Sequence, residues 1–159
     1  MVPGQGAPAS AAALSALEAV LRQELQEFVV ATRGRGLFEL TEQVTSWIRG
    51  TGIREGLLTL HVRHTSASLV IQENADPEVR RDLERFFTRL VPPGDPLFHH
   101  TSEGPDDMPA HVRTALTSTS LSIPVTGGRA ALGTWQGIYL YEHRDAPHRR
   151  RVAAHLLGE

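Results

Sequence analysis

Short runs in which apolar and polar residues alternate recur along the chain and predict β-strands. The first run covers residues 24–33, and the next covers residues 37–40. Gly34 and Gly36 lie between them, and closely spaced glycines are typical of a tight turn. We therefore expect these two strands to form a hairpin.

Six further runs have the same strand-like pattern. They cover residues 57–63, 68–73, 120–125, 129–134, 137–144 and 149–157. Alternation in the first of the six places Leu58, Leu60 and Val62 on one side of the strand, and His64 follows at the end of that side. We expect this side to face the core.

The spacing of apolar residues predicts a helix over residues 41–52. Val44, Trp47 and Ile48 lie at i, i+3 and i+4. Thr41 is a suitable N-cap, and the glycines near the end of the segment suit a helix C-terminus. One amphipathic helix is therefore expected after the first two strands.

Prolines indicate where two more helices begin. Asp76 followed by Pro77 is typical of an N-cap and a first helical residue, and the residues that follow form an apolar stripe. Pro109 is expected to be the first residue of a third helix. The pattern of residues 14–25 also allows a short helix, whereas residues 1–20 are interpreted as a flexible N-terminal extension.

Together these elements predict an α+β fold, a compact sandwich with a largely antiparallel β-sheet and two to three helices. The chain of 159 residues fits a single domain, which we place at residues 21–159. A net charge of −2 gives no general attraction to nucleic acid, and the apolar runs are too short for a transmembrane helix. With no cysteine, thiolate chemistry is excluded, and we expect a cytoplasmic protein with neither nucleic-acid nor membrane partners.

Residues 99–111, HHTSEGPDDMPAH, form a segment rich in groups that bind metals or transfer protons, called here the histidine segment. Imidazole is the commonest metal ligand in proteins and titrates near neutral pH. One interpretation is a site where His100 and His111 converge, because His111 is predicted at the third position of its helix. The alternative is a polar surface loop in which Asp106 and Asp107 cap that helix.

Other polar residues leave similar alternatives open. His99 has the weakest claim to a site, because the neighbour of a ligand usually points the other way. His143 is either a third ligand or a polar residue at the rim of its strand. His64, with Thr65 and Ser66, is either a general acid or base beside phosphate-binding hydroxyls or the polar end of a strand.

Three more residues are candidates for binding. Glu73 and Asn74 are placed to line a site, and Arg129 follows two glycines that form either a phosphate-accepting turn or a plain hairpin turn. The sequence contains no P-loop, GxGxxG, GxSxG or HExxH motif. The residues alone therefore do not select a reaction.

Three stretches of the sequence resemble the YjbQ family in content and in order: HTSASLVIQENADPEVRRD, HHTSEGPDDMPAHVRTAL and SLSIPVTGGRAALGTWQGIYLYEHR. The resemblance extends from about residue 28 to residue 157. This family is often labelled secondary thiamine-phosphate synthase. The resemblance implies a compact sandwich of strands and helices that assembles as a homotrimer.

The resemblance also favours a histidine-lined metal site. The expected ligands of a divalent metal are His100, His111 and His143. Zinc is the first candidate, with magnesium as the alternative beside a diphosphate substrate. The expected catalytic residues are His64, Glu103 and Asp107. The residues expected to bind the substrate or cofactor are Thr65, Ser66, Glu73, Asn74 and Arg129.

The implied activity is that of a secondary thiamine-phosphate synthase, which condenses a pyrimidine diphosphate with a thiazole phosphate and releases diphosphate. The chain lacks the aspartate-rich diphosphate–magnesium motif expected of a primary synthase. Two alternatives therefore stay open. One is a metal-assisted hydrolase or transferase acting on another small phosphorylated metabolite, and the other is a trimeric metal- or metabolite-binding protein without turnover.

Overall fold

The structure, a computed structural model, describes residues 20–159, which contain eight strands and three helices. The strands are β1 Arg22–Ala31, β2 Gly36–Glu39, β3 Gly56–Val62, β4 Ala67–Glu73, β5 Ser120–Thr126, β6 Arg129–Ala130, β7 Gln136–Glu142 and β8 Arg149–Gly158. The helices are α1 Thr41–Thr51, α2 Pro77–Leu90 and α3 Asp107–Leu116.

The strands form two sheets in which every pairing is antiparallel. One sheet has the order β1-β8-β3-β5-β6, and the other has the order β2-β7-β4. The predicted α+β class with a largely antiparallel arrangement is confirmed. Strands occur at all eight predicted places, with boundaries shifted by a few residues, but the strand predicted at residues 129–134 is limited to Arg129–Ala130.

The predicted hairpin between the first two strands is wrong. β1 pairs along all ten residues with β8, whereas β2 lies in the other sheet and pairs with β7. A four-residue partner would leave most of the backbone hydrogen-bonding groups of β1 unpaired, and β8 has the matching length. Gly34 and Gly36 have φ angles of 130° and 139° and redirect the chain from one sheet to the other.

The hydrophobic core consists of the alternate residues of the strands and the apolar side of α1. Leu58 and Leu60 of β3 are fully buried and Val62 is nearly so, as the alternation predicts. From α1, Val44 and Ile48 pack into the same cluster. The core therefore fixes the register of β3 and with it the position of the turn that leads to β4.

The helix starts agree with the sequence pattern to different degrees. Asp76 caps α2 as predicted, since its side chain accepts a hydrogen bond from the backbone N–H of Glu78 at 2.8 Å. Thr41 is the first residue of α1 rather than its N-cap, and its hydroxyl oxygen instead accepts the N–H of Ile138 at 2.9 Å. α3 begins at Asp107, two residues before the predicted start at Pro109.

Part of the sequence prediction concerns residues that lie outside the described ones. The flexible extension predicted for residues 1–20 falls there, apart from Val20, as does the start of the short helix allowed at residues 14–25. The end of that allowed helix is wrong, because the chain from Arg22 onward belongs to β1. Pairing with β8 outweighs the weak helical pattern in this stretch.

Candidate metal centre

Two residues of α3 and one from the loop before it bring their side chains together at the surface. Asp107 and His111 are four residues apart on α3 and so share one side of the helix. Asp107 Oδ2 lies 2.9 Å from His100 Nε2 and 3.3 Å from His111 Nε2. One donor atom from each of these three residues lies within 4.8 Å of the others, and we call the group the triad.

The histidines of the triad are accessible, whereas its carboxylate is not. The side chains of His100 and His111 are 46% and 32% exposed, and that of Asp107 is 3% exposed. A buried carboxylate between two partly exposed imidazoles leaves an open side from which an ion or a small molecule can approach. This accessibility distinguishes the triad from a buried structural network.

The ring orientation of His111 is fixed by the turn between β3 and β4. His111 Nδ1 lies 2.9 Å from the backbone carbonyl oxygen of Thr65, an acceptor, so this nitrogen carries a proton and donates it. In the neutral imidazole, Nε2 then presents a lone pair toward the carboxylate of Asp107 at 3.3 Å. Two acceptors at this separation repel each other unless a proton or a metal ion lies between them.

Arg144, in the loop after β7, holds the carboxylates of the histidine segment in place. Its Nη1 donates to Asp107 Oδ1, and its Nε donates to Asp106 Oδ2 at 3.0 Å. Its Nη2 donates to the backbone carbonyl oxygen of Glu103 at 2.8 Å. Arg144 therefore fastens the loop to the start of α3 and orients Asp107 so that its other oxygen faces the two histidines.

The capping interpretation of the two aspartates is wrong for their side chains. Asp106 occupies the N-cap position of α3 but makes no side-chain cap hydrogen bond. Its carboxylate instead accepts from Arg144 and from the N–H of Asp145. Burial raises the pKa of Asp106, but the hydrogen bonds from Asp145 and Arg144 outweigh burial and hold the pKa below its usual range. The carboxylate of Asp107 faces the two histidines of the triad.

His143 lies apart from the triad, in a buried position at the end of β7. It is 1% exposed, and its Nε2 is 2.8 Å from Ser68 Oγ. Its Nδ1 has no hydrogen-bond partner among the described residues. Burial, assisted by the positive charge of Arg113, lowers the pKa of His143 to about 3. His143 therefore does not join His100 and His111, and the residue whose donor atom lies beside theirs is Asp107.

A second ionic group, the buried pair, consists of Glu142 at the end of β7 and Arg150 in β8 of the other sheet. Arg150 Nε donates to Glu142 Oε2 at 2.7 Å, and the Thr32 hydroxyl donates to the same oxygen at 2.8 Å. Arg150 also donates to Ser66 Oγ at 3.0 Å. Burial raises the pKa of Glu142, but the hydrogen bonds from Arg150, the Arg144 N–H and Thr32 outweigh it and leave the pKa low.

The predicted residues of the HTSAS turn have different surroundings. The Thr65 carbonyl contacts the triad, whereas the Ser66 side chain belongs to the buried pair. His64 Nε2 accepts the backbone N–H of Arg151 at 2.8 Å, so its lone pair is already occupied. Burial and the charge of Arg150 lower the pKa of His64. Only the backbone of this turn therefore contacts the triad.

Three predicted binding residues lie at the opposite end of the molecule. Thr65 precedes β4 and Asn74 follows Glu73 at its end, so about 20 Å of strand separates them. Arg129 pairs with Thr126, the last residue of β5. The first residue of β5, Ser120, pairs with His61, which lies near Thr65 in the sequence. Within one chain, the structure brings neither Arg129 nor Asn74 to the triad.

Sequence reasoning did not single out two residues that organise the site, Arg144 and Arg150. Arg144 follows directly after His143, and Arg150 lies in the run of three arginines at residues 149–151. For Arg150 a signal existed, because the alternation of β8 places it on the same side as Val152 and Ala154, which are buried. No pattern in the local sequence indicates the partners of Arg144.

The longest helix of residues 20–159 is α2, with 14 residues, and no helix in this range has the length and apolar content needed to cross a membrane.

The fold and the triad define a class of α+β proteins built from two antiparallel sheets, with a histidine–carboxylate group at the start of a helix. Residues 26–159 match the family model described as UPF0047 protein YjbQ-like. The chain belongs to this YjbQ/UPF0047 family, as the resemblance implied.

Relatives and solved structures agree with this assignment. A UPF0047 protein of Synechocystis is 50% identical over 141 residues, covering 89% of this chain and 96% of the relative. The UPF0047 protein YjbQ of Escherichia coli O157:H7 is 44% identical, with coverages of 82% and 94%. A hypothetical protein of Aeropyrum pernix is 36% identical with a TM-score of 0.78, covering 86% of this chain and 99% of that structure. A Sulfolobus solfataricus protein described as YbjQ-like and of unknown function has a TM-score of 0.81 at 23% identity, with coverages of 88% and 100%.

Proposed function

We propose that the protein is a metal-dependent enzyme that acts on a small metabolite, with a divalent ion bound by His100, Asp107 and His111. The observation that carries this proposal is the pairing of two acceptors, the Nε2 lone pair of His111 and Asp107 Oδ2, at 3.3 Å. A metal ion satisfies both acceptors without protonating the imidazole.

The spacing of the triad supports zinc as the first candidate. Bonds of about 2.1 Å in a tetrahedral arrangement separate neighbouring ligand atoms by roughly 3.4 Å. The separations of 2.9 and 3.3 Å in the triad are close to that value. Two imidazoles and one carboxylate suit zinc better than magnesium, which prefers oxygen ligands. Three protein ligands also leave a fourth position open, as in catalytic zinc sites.

Zinc in such a site supplies Lewis acidity and lowers the pKa of water to about 7, which favours hydrolysis or group transfer. The roles of the chain itself follow from its contacts. Thr65 and Arg144 orient the two ligands of α3. Of the predicted bases, Glu103 is the better placed, because its side chain is 67% exposed on the histidine segment, whereas the Nε2 lone pair of His64 is occupied.

The condensation of a pyrimidine diphosphate with a thiazole phosphate stays a prediction. A leaving diphosphate needs compensating cations. Arg144 already contacts three carboxylate-bearing residues, and Arg129 lies at the far end of the same chain. These contacts favour metal-assisted hydrolysis or transfer over the synthase reaction. Neither arginine is therefore placed to bind the phosphate groups of a metabolite at the triad.

The predicted homotrimer is part of the proposal. On the side of the five-stranded sheet that faces away from the core, large apolar residues are exposed: Leu25, Val29, Leu57 and Leu157. Exposed apolar groups on one side of a sheet are typical of a protein–protein interface. We expect sedimentation equilibrium to give three times the mass of the chain, and the mass of a single chain would contradict this part of the proposal.

Zinc titration by calorimetry tests the metal proposal. We expect one zinc ion per chain for the wild type and a loss of binding of roughly a hundredfold or more in His111→Ala, because one of three ligands is missing. His99→Ala is the matched control, since His99 is an exposed neighbour outside the triad. Equal affinities in wild type and His111→Ala would contradict the proposal.

Turnover separates an enzyme from a binding protein. We expect the wild type to hydrolyse 4-nitrophenyl acetate faster than His111→Ala at the same zinc concentration, and 4-nitrophenyl phosphate provides the parallel assay for phosphoryl transfer. Zinc binding without turnover of either compound would support the alternative of a metal-binding protein.

A further inference from the structure

We infer that a cavity beside the triad binds an uncharged, ring-sized apolar group of the substrate, whose polar end lies at the metal ligands. This inference rests on the proposed function and specifies the class of substrate. The cavity has a volume of about 350 Å³ and lies between the loop after α2 and the start of α3. Ligand sites of 300–1,000 Å³ are typical for small molecules, so this cavity suits a compact group.

The cavity is continuous with the triad through His100. His100 lines the cavity, and its Nε2 lies 2.9 Å from Asp107 Oδ2. Met108 and Pro109, the two residues after Asp107, also line the cavity. A molecule that occupies the cavity therefore contacts His100, one member of the triad.

The lining of the cavity is mainly apolar. Phe98 and Met108 are both half-buried, and the apolar residues that complete the wall are Pro96, Pro105 and Pro109. Proline rings with one phenyl ring and a thioether suit contact with a planar or short aliphatic group. Such a wall contributes binding energy by removing apolar surface from water.

The side chains of the cavity wall favour an uncharged group over an anionic one. The lining contains no arginine, and Asp95 is its one carboxylate. The nearby Arg144 is engaged by Asp106, Asp107 and the carbonyl of Glu103. Apart from the proposed metal ion at the triad, a phosphate or carboxylate in this cavity would meet no arginine of the lining and would lie near the carboxylate of Asp95. The group that the cavity binds is therefore uncharged.

The walls are held together before any ligand binds. The N–H of Gly94 donates to the carbonyl of Pro105 at 3.1 Å, which joins the two arms of the loop. The carboxylate of Asp95 accepts the N–H of Leu97 at 2.8 Å and forms a local turn. A preformed cavity reduces the entropy lost on binding, so a small apolar group gains affinity from it.

Hydroxamates test this inference, because they bind zinc through two oxygens and are available with and without a ring. The probes are acetohydroxamate, benzohydroxamate and 4-carboxybenzohydroxamate, titrated into zinc-loaded protein. We expect benzohydroxamate to bind at least about tenfold more tightly than acetohydroxamate, since the ring adds buried apolar surface. The added carboxylate of the third probe should remove this gain.

Two substitutions in the wall of the cavity test whether the gain in affinity for benzohydroxamate comes from the cavity. Met108→Ala should reduce the preference for benzohydroxamate several-fold and leave zinc affinity unchanged. Leu97→Ala is the matched control, because Leu97 is 74% exposed in the same loop and outside the lining. Phe98→Ala provides a second test at another wall of the cavity.

The outcomes for zinc and for the ring are distinguishable. If zinc binds and the three hydroxamates bind equally, or if Met108→Ala and Phe98→Ala both keep the full preference, the inference about the cavity is wrong and the metal centre stands. If zinc does not bind, the proposed function is wrong, and the inference that rests on it is wrong as well.

Discussion

Two groups of histidines and carboxylates lie close together in this fold and differ in what surrounds them. In the triad, Asp107 is flanked by two partly exposed histidines. In the buried pair, Glu142 is enclosed by Arg150, Thr32 and backbone N–H groups, and His143 beside it is 1% exposed. The residue types are similar, but only the triad has an open side.

The difference shows why histidine content alone does not identify a metal site. A buried imidazole with a fixed hydroxyl partner, such as His143 with Ser68, contributes to packing and stays neutral. An exposed imidazole whose Nδ1 is held by a backbone carbonyl, such as His111, presents its other nitrogen outward as a ligand. We therefore expect changes in the buried pair to affect stability and changes in the triad to affect metal affinity.

The largest effect is expected from Glu142→Gln. This variant keeps the shape of the side chain but leaves the guanidinium of Arg150 buried without a counter-charge. The free energy of unfolding should fall by about 3–5 kcal/mol, measured by urea denaturation at neutral pH. A loss below about 1 kcal/mol would show that the pair is not needed for stability. Zinc affinity of the folded fraction should stay as in the wild type.

Asp107→Asn should have the converse effect. Loss of the charged oxygen shared by both histidines is expected to weaken zinc binding by roughly a hundredfold. Asp106→Asn is the matched control, because Asp106 also contacts Arg144 but lies outside the triad. Equal losses in the two variants would contradict the assignment of Asp107 as a ligand.

The next effect in size concerns the pH dependence of stability, to which the buried His143 contributes. The pKa of His143 is about 3 in the folded state, below its ordinary value of 6.5, so the unfolded chain binds a proton that the folded chain excludes. The stabilisation is complete above pH 6.5 and decreases by up to about 1.4 kcal/mol per pH unit as the pH falls toward 3. His143→Gln should reduce this slope in urea denaturation between pH 4 and 6. An unchanged slope would show that His143 is not the group responsible.

The smallest effect is expected at Arg144. Arg144→Gln removes the group that orients Asp107 without removing a ligand, and zinc affinity should fall about tenfold. Arg144→Lys should lie between this variant and the wild type, because lysine keeps the charge but cannot make the same set of contacts. If Arg144→Gln bound zinc as tightly as the wild type, Arg144 would not be needed to orient Asp107.

Much of the fold could be predicted from local sequence, because alternation and helix caps act over a few residues. Leu58, Leu60 and Asp76 illustrate this. The pairing of β1 with β8 could not be predicted, since it depends on residues more than a hundred positions apart. A hairpin with the nearby β2 satisfied the local pattern equally well.

The site was predictable in part for the same reason. His100, His111 and Asp107 lie within one short segment, so their convergence followed from local pattern and family resemblance. The separation of His143 depends on a hydrogen bond with Ser68, 75 positions away, and on burial of the whole strand end. Arg144 became visible as an organising residue only when the loop after β7 was placed beside α3.

The central claim is that His100, Asp107 and His111 form one metal site. Diffraction from crystals soaked in zinc, with anomalous data collected on both sides of the zinc absorption edge, tests it most directly. We expect one strong zinc-specific peak per chain about 2 Å from His100 Nε2, His111 Nε2 and Asp107 Oδ2. A peak at His143 or at the exposed His99, or no peak at the triad at saturating zinc, would contradict it.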